Sequence, residues 1–201
     1  MAGHGAIEGA ARARRGPVRE RIFEAACALF YEHGIHQVGV DAIATAAGTN
    51  KMSFYRSFAS KDALVALYLR QRERALWQWW DQAIAAHARA PRRQIEALFA
   101  ELVRHCRGQA SWGCAVANAA AEIRDPSHPA IAVIHTQKAE LQRRFRALAR
   151  AAGAREPAVL GDALTLLFDG VLTAKLTFAG RQAPHRHLSR IVARLLDAEI
   201  G

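Results

Sequence analysis

Apolar residues recur at helical spacing from residue 22 onward and mark the first predicted helix. Its apolar face holds Ile22, Ala25, Ala26, Leu29 and Phe30. Charged residues take the opposite face, and Gly34 stands where a positive φ ends a helix at least cost. The pattern predicts an amphipathic helix that ends near His33.

A second helix, of only about two turns, is predicted at residues 40–47. Ile43 is expected to face inward, while Ala44 and Ala47 are small enough for a neighbouring helix to approach closely. Gly48 then turns the chain, because glycine adopts left-handed backbone conformations without a steric penalty.

A third short helix is predicted from Asn50 to about Ser57, with Thr49 or Asn50 as the residue that caps its start. Phe54 and Phe58 are expected in the core. The side chains left largely free are Lys51, Met52, Ser53, Tyr55 and Arg56. A small residue, a glycine turn and a short polar-fronted helix are typical of the helix-turn-helix, whose second helix enters the major groove of DNA.

Beyond residue 62 the apolar periodicity stays helical, and no alternating strand pattern interrupts it. Proline and glycine residues divide this part into six further predicted helices, at 62 to about 90, 91 to about 107, 112–123, 129 to about 151, 158–178 and 184–200. The chain is therefore predicted to be all-α, with nine helices. We expect a disordered basic arm at 1–16, an N-terminal three-helix DNA-binding domain at 17–62 and a C-terminal helical domain at 63–201.

The net charge of +10 does not by itself locate a DNA site. Residues 1–62 hold eight Lys and Arg and six Asp and Glu, a surplus of two, so eight of the ten excess charges lie further along the chain. Four arginines stand in or beside the N-terminal arm: Arg12, Arg14, Arg15 and Arg19. They are expected either to lie along a DNA groove or its phosphates, or to form a solvated tail.

Composition places the chain among globular proteins. Hydrophobic residues make up 51% of its 201 residues, enough to bury a sizeable core in one large domain or two small ones. No apolar run approaches the length of a membrane span, and residues 1–16 lack the apolar stretch of a secretory signal. We therefore expect a cytoplasmic protein without membrane contact.

Residues suited to catalysis or metal binding form no recognised pattern. Cys27, Cys106 and Cys114 lack CxxC spacing and are odd in number, which disfavours a disulfide framework or a zinc site. Cys27 is most simply a small core residue, and a redox switch through Cys106 and Cys114 is the less favoured alternative. We expect no metal, no cofactor and no enzymatic activity, since no nucleophile elbow, metal spacing or phosphate loop is found.

One longer string of residues is specific enough to indicate a family. It consists of Ala26, Phe30, Gly34, Ile43, Ala44, Ala47, Gly48, Phe54, Tyr55, Phe58, Ser60, Lys61, Asp62 and Leu64. In this register, and without a gap, it resembles the tetracycline-repressor (TetR) family of bacterial regulators. The resemblance is strong over roughly the first third of the chain, and elsewhere it extends only to size and helix content.

The resemblance implies roles for residues of the predicted recognition helix. Asn50, Lys51 and Ser53 would face base edges or nearby phosphates, because lysine and asparagine suit base-edge readout. Tyr55 would contact the phosphate backbone, and Lys61 would do so from the start of the fourth helix. The full predicted DNA-binding set is Thr49, Asn50, Lys51, Ser53, Tyr55, Arg56 and Lys61.

Four positions depart from the usual pattern of the family. Val38 and Gly39 stand where hydroxyl residues usually open the second helix, so a phosphate contact there must come from backbone N–H groups. Ser57 replaces a common histidine. Met52 replaces a common small residue; it would either meet a thymine methyl group or fill a gap in packing, and packing is the favoured interpretation.

The last two predicted helices carry long apolar stripes that suggest a homodimer. The stripe at 158–178 holds Leu160, Ala163, Leu164, Leu167, Val171, Ala174 and Leu176, and that at 184–200 holds Leu188, Ile191, Val192, Leu195 and Leu196. As the resemblance implies, two copies would pair these helices in a four-helix bundle and read a palindromic operator. If the stripes serve only the intrachain core, a monomer is left with one short recognition helix, a small contact for specific binding.

The resemblance also implies a small-molecule site among the middle helices. The residues predicted to bind the effector are Trp80, Phe99, His105, Trp112, Asn118 and Phe168, and further inward-facing polar candidates are Glu122, His135 and Asp169. An apolar cavity with a few orienting polar groups suits a hydrophobic or aromatic compound. Plain core packing is the alternative explanation of the same aromatic residues.

Together these expectations describe a ligand-responsive repressor of transcription. Effector binding would tilt the fourth helix and release the protein from a palindromic double-stranded DNA operator. The alternatives are a constitutive architectural DNA-binding protein, which needs no aromatic interior, and a helical enzyme with scattered catalytic groups. Activation instead of repression stays open, because the sign depends on where the operator lies relative to the promoter.

Overall fold

The structure of the chain is a computed structural model that describes residues 16–107, 113–178 and 183–200. Within these ranges all regular elements are helical. The α-helices are α1 (Val18–His33), α2 (Val40–Ala46), α3 (Lys51–Ser57), α4 (Lys61–Ile84), α5 (Pro91–Arg107), α6 (Ala115–Glu122), α7 (Pro129–Ala151), α8 (Pro157–Thr177) and α9 (Leu188–Glu199). The predicted all-α class is confirmed, as is the predicted number of nine helices for the described residues.

The helix bounds differ from the sequence expectation by more than one residue at three places. α4 ends at Ile84, well before residue 90, and tightens into a 3₁₀ turn at Ala85–His87. α6 begins at Ala115, because Gly113 at φ 77° cannot belong to a right-handed helix. Pro184–His187 forms a 3₁₀ turn that precedes α9, where a continuous helix was expected.

The chain divides into two compact units. The first comprises residues 1–72 and 115–134, and the second comprises residues 73–114 and 135–201. The described part of the first unit therefore contains α1, α2, α3, the first half of α4, α6 and the start of α7. A helix from the predicted C-terminal domain, α6, thus belongs to the same compact unit as the three-helix segment.

The core of the first unit forms around the aromatic residues expected there. Phe54 and Phe58 are 0% and 5% exposed and their rings lie 5.9 Å apart, which confirms that both enter the core. Ile22 and Ile43 are fully buried. α1, α2 and α3 pack on one another through these side chains. The buried side chains of α3 therefore fix the orientation of its exposed face.

The core of the second unit contains an aromatic cluster, defined here as Trp80, Phe99, Phe145 and Phe168. The Phe145 ring lies 4.8 Å from Trp80, 5.7 Å from Phe99 and 5.9 Å from Phe168. Such ring pairs add a modest gain beyond the apolar area that they bury. The cluster joins α4, α5, α7 and α8 within this unit.

A close approach of α7 and α8 depends on Gly161. A Cβ at this position would lie 2.6 Å from the Cα of Arg146, so any side chain would force the two helices apart. An ion pair also joins the two helices here. The Arg146 guanidinium donates to both carboxylate oxygens of Asp162 at 2.7 and 2.6 Å. This bidentate pair lowers the pKa of Asp162 through its hydrogen bonds.

α8 is more apolar than the sequence analysis expected. The stretch Pro157–Ala174 matches a membrane span in length and composition, which corrects the statement that no apolar run approaches that length. The stretch is 39% buried within the structure. It also contains Asp162 and Asp169, both in ion pairs with α7, so its composition also fits a helix that packs in a protein core.

Candidate nucleic-acid interface

The recognition helix α3 is fixed at its start by Asn50. The Asn50 Oδ1 accepts a hydrogen bond from the backbone N–H of Ser53 at 3.0 Å, the geometry of an N-cap. Of the two residues considered for this role, Asn50 serves, while the half-buried Thr49 donates its backbone N–H to the carbonyl of Ala44 at 2.9 Å. Because the cap uses the amide oxygen, only the NH₂ group of Asn50 is left for a base or phosphate acceptor.

The residues of α3 that face solvent form what we call the reading face: Asn50, Lys51, Met52, Tyr55 and Arg56. Met52 is 69% exposed and Tyr55 is 50% exposed. The interpretation that Met52 fills a gap in packing is therefore wrong, because the side chain projects from the surface. The exposure of Met52 agrees with its place among the side chains predicted to be largely free, and it leaves contact with a thymine methyl group as the other interpretation.

Lys51 lies next to a carboxylate of the preceding helix. Its Nζ is 3.4 Å from the Oδ2 of Asp41, and both side chains are more than half exposed. An exposed pair of this kind adds little to stability. The structure thus places Lys51 at the front of the reading face, with its charge partly balanced by α2.

The remaining polar residues of α3 are tied to one another. Arg56 donates from Nη2 to the Oγ of Ser53 at 3.2 Å, and Ser57 donates its hydroxyl to the Ser53 carbonyl at 2.8 Å. Ser57 is therefore turned back onto its own helix. The ring of Tyr55 packs edge-on against Phe54 at 5.3 Å, which orients the tyrosine hydroxyl outward from the core.

Arg19 supports the end of the recognition helix. Its guanidinium lies 4.4 Å from the ring centre of Phe58, and its Nη1 donates to the carbonyl of Ser57. A cation on a helix C-terminus also interacts favourably with the helix dipole. Arg19 thus belongs to the folded first unit, whereas Arg12, Arg14 and Arg15 lie outside the described residues.

Lys61 is the first residue of α4, as the sequence predicted. The Oγ of Ser60 accepts from the backbone N–H of Ala63 at 3.0 Å and caps this helix. Asp62 follows, and its Oδ1 lies 3.4 Å from the Nε2 of His128 at the start of α7. The half-buried Lys61 therefore lies at a helix start that is fixed by the cap at Ser60 and by the contact of Asp62 with His128.

The start of α2 has no side-chain hydroxyl for a phosphate contact, as expected. Val38 is 3% exposed and points into the core, and Gly39 is the N-cap residue without a side-chain hydrogen bond. The hydroxyl contacts that are usual at these positions are thus replaced by an apolar anchor and a bare backbone.

Glu122, the last residue of α6, belongs to the first unit and contacts the turn between α1 and α2. Its Oε2 accepts a hydrogen bond from the backbone N–H of His36 at 2.6 Å. A Cβ added to Gly34, which has φ 83°, would lie 3.1 Å from the Glu122 Oε1. The carboxylate therefore rests on the turn between α1 and α2, a role that sequence spacing could not reveal.

The predicted effector residues separate into several environments. Trp80, Phe99 and Phe168 are at most 3% exposed and share the aromatic cluster. Asn118 is half-buried and belongs to the first unit. Trp112 lies outside the described residues.

Two of the polar candidates do not face inward. His105 and His135 are both exposed, because they lie on the outer faces of α5 and α7. The expectation that they line an interior is therefore wrong. Asp169 accepts a hydrogen bond from the Nζ of Lys138 at 2.6 Å, so its carboxylate is already matched by a cation.

The cysteines are thiols in different surroundings. Cys27 is half-buried rather than fully in the core, and its Sγ lies 3.0 Å from the Oε1 of Gln71. Burial raises the pKa of the Cys27 thiol to about 12. Cys106 is buried, and the Sγ of Cys114 lies 4.0 Å from the Nζ of Lys138. Among the described residues, no group of three or more His, Cys, Asp or Glu is placed to hold a metal ion.

An apolar groove runs along α8 and α9 in the second unit. It has a volume of about 460 Å³ and is lined by Ala163, Leu166, Leu167, Gly170, Val171, Ala174, Pro184, His185, Leu188, Ile191 and Leu195. Leu166 is 74% exposed beside it.

Comparison with known proteins points in one direction. Residues 22–68 match the family model described as bacterial regulatory proteins of the tetR family. The crystal structure of a putative TetR transcriptional regulator, SAV143 from Streptomyces avermitilis, is 33% identical, with a TM-score of 0.77 over 92% of this chain and 98% of that one.

Curated relatives match shorter parts. The HTH-type transcriptional regulator UidR of Escherichia coli is 39% identical over 61 residues, which are 30% of this chain and 31% of UidR. The HTH-type transcriptional repressor DhaR of Mycobacterium sp. strain GP1 is 29% identical over 109 residues, 54% of each protein. The chain thus matches less than a third of UidR and about half of DhaR.

Proposed function

The chain belongs to the TetR family of bacterial regulatory proteins and is a DNA-binding transcriptional regulator, and we propose that it acts in the cytoplasm as a dimeric repressor. Two copies bind a palindromic operator, and a small hydrophobic or aromatic effector releases them. The observation that supports this most directly is the reading face of α3, whose exposed side chains stand on a helix anchored by Asn50 and Phe54.

In the proposed complex, some side chains of the reading face contact bases and others contact phosphates. Lys51 donates to guanine acceptors, and the exposed methionine at Met52 contacts a thymine methyl group. Tyr55, Arg56 and Lys61 contact phosphates and fix the register of the protein on the duplex. The NH₂ group of Asn50 gives a single contact, because its oxygen caps α3.

The second copy covers the α8/α9 groove. The positions Val159, Ala163, Leu166, Gly170 and Thr173 follow one another at alternating intervals of four and three residues. This is the 3.5-residue period of helices that pack side by side in a bundle. Several of these positions are exposed, so a partner is needed to bury them.

Gly170 is a further argument for a second copy packed against α8. A glycine inside a helix costs about 0.5–1 kcal/mol relative to alanine. Apart from its own turn of helix, no heavy atom of the described residues lies within 4 Å of a Cβ added at Gly170. The chain's own packing therefore does not require a glycine at this position. A close approach by Leu166 of the second copy gives it a reason.

Release by the effector acts through the balance of two conformations. A ligand shifts that balance only by its preference for the form that does not bind DNA, typically about 1–3 kcal/mol. The contacts at Glu122 and Asp62 join α6 and α7 to the helices that carry the reading face. Movement of these two contacts changes the orientation of α3, which is what the operator senses.

The experiment is a binding titration with inverted-repeat duplexes taken from the DNA upstream of the gene. Lys51→Ala should weaken binding by about 1–3 kcal/mol, the value of a good base contact. Arg93→Ala is the matched control, because Arg93 is also an exposed cation paired with a carboxylate, but it lies in the second unit. If no inverted repeat is preferred over random duplex, or if both variants bind like the unchanged protein, the proposal fails.

A further inference from the structure

Gln137 is a polar residue placed where the structure otherwise uses apolar ones. It is 2% exposed and stands in α7 of the second unit. Leu141 and Phe145 follow it at intervals of four residues, and both are fully buried on the same face of the helix. Among the buried residues in the described part of the chain, Gln137 alone is polar or charged.

The Oε1 of Gln137 is buried and accepts no hydrogen bond from any described residue. A buried acceptor without a donor destabilises the folded state, because its hydration is lost and not replaced. A leucine of similar volume would avoid this cost at a core position. The glutamine therefore makes the core less stable than it would be with an apolar residue, and its acceptor lacks a donor among the described residues.

The charged residue that follows Gln137 in α7 is matched by a carboxylate of α8. Lys138, the next residue, donates to the carboxylate of Asp169 on α8 at 2.6 Å. Asp169 is in turn next to Phe168 of the aromatic cluster. α7 and α8 are thus joined by a matched ion pair at the residue that follows Gln137.

We propose that the amide oxygen of Gln137 is the polar group that recognises the effector, and that the effector is a neutral aromatic or hydrophobic molecule with a hydrogen-bond donor such as a hydroxyl group. This inference rests on the proposed function, since it concerns the ligand of the same regulator. A carboxylate ligand is disfavoured, because the amide oxygen repels an anion and Asp169 already holds Lys138. An ether or hydrocarbon would leave Oε1 without a donor.

The test compares each donor with its methylated analogue. Phenol and anisole form one pair, and 2-naphthol and 2-methoxynaphthalene form the other. Binding is measured by calorimetry on the full-length protein and on Gln137→Leu. The unchanged protein should bind at least one hydroxyl compound more tightly than its methyl ether by about fivefold, the value of one net hydrogen bond. Gln137→Leu should abolish this preference and melt at a higher temperature without ligand.

Gln142→Leu is the matched control, because the Nε2 of Gln142 donates to Asp162 at 2.9 Å and its acceptor is not orphaned. It should keep the preference for the hydroxyl compound. Equal binding of both members of each pair, no binding of any of the four, or a preference retained in Gln137→Leu would overturn the inference.

Operator binding is measured on the same samples. A protein that binds its inverted repeat but shows no preference for the hydroxyl compounds rejects only the role of Gln137. A protein that binds no duplex selectively rejects the proposed function itself. Should Gln137→Leu fail to fold, Gln137→Met takes its place, and the comparison within each pair on the unchanged protein still decides.

Discussion

The carboxylate of Glu122 holds the backbone N–H of His36 at 2.6 Å. The two residues are separated by 86 positions in the chain, yet the contact places the end of α6 on the turn between α1 and α2. A backbone N–H bound to a carboxylate makes a stronger hydrogen bond than one bound to a neutral acceptor. Any change at the end of α6 is therefore transmitted to the turn that leads into the helix-turn-helix.

Removal of this carboxylate should loosen the turn. We expect Glu122→Ala to lower the free energy of unfolding by about 1 kcal/mol, because it leaves the His36 N–H to water. Urea denaturation of the unchanged protein and the variant measures the difference. Glu24→Ala is the control, since Glu24 is an exposed carboxylate of α1 in the same unit. Coincident unfolding curves for the two variants would show that the contact has no energetic role.

Met52 should affect DNA selectivity and leave the fold intact. Since its side chain is 69% exposed, we expect Met52→Ala to change the free energy of unfolding by no more than about 0.5 kcal/mol. Its loss should instead reduce discrimination between thymine and uracil at one operator position, because uracil lacks the methyl group. Competition binding with substituted duplexes measures this. Phe54→Ala, a fully buried neighbour, should cost about 3–5 kcal/mol, and a similar loss at Met52 would contradict the exposed placement.

Substitution of the two glycines of α8 should affect different properties, stability at Gly161 and dimer formation at Gly170. Gly161→Ala should destabilise the fold, because its Cβ would lie 2.6 Å from the Cα of Arg146. Gly170→Phe meets open space within the chain and should leave helix content unchanged while it dissociates the dimer. Sedimentation and circular dichroism separate the two effects. A Gly170→Phe protein that remains a dimer would place the interface elsewhere.

Glu140 should contribute a pH-dependent part of the stability. Hydrogen bonds from Arg143, and then from Arg144, lower its pKa from 4.5 to about 2 despite opposing desolvation. A group with a lowered pKa stabilises the folded state above its unfolded pKa, and the contribution is lost as pH falls through the folded one. The stability difference between the unchanged protein and Glu140→Gln should therefore be complete at pH 6 and shrink between about pH 4.5 and 2. Melting temperatures across this range test it, and a constant difference would contradict the assignment.

The sequence was sufficient wherever local chemistry decides the structure. Helical periodicity placed Phe54 and Phe58 in the core, and capping preferences restricted the N-cap of α3 to Thr49 or Asn50, of which the structure uses Asn50. It failed where the outcome depends on contacts distant in the chain. The exposure of His105 depends on how α5 packs, and the contact of Glu122 with His36 depends on the path of the chain between them. Met52 was rightly expected to be largely free, but packing was favoured over DNA contact because apolar character indicates burial, which holds only on average.

The proximity of Lys51 and Asp41 affects the difference in affinity between the operator and other DNA. In the proposed complex, the carboxylate of Asp41 repels the phosphates of every duplex alike, whereas Lys51 gains its full attraction only where a base acceptor faces it. The ion pair of the proposed complex therefore weakens binding to arbitrary DNA more than binding to the correct sequence. This difference counts in a cell, where random sites vastly outnumber the true one.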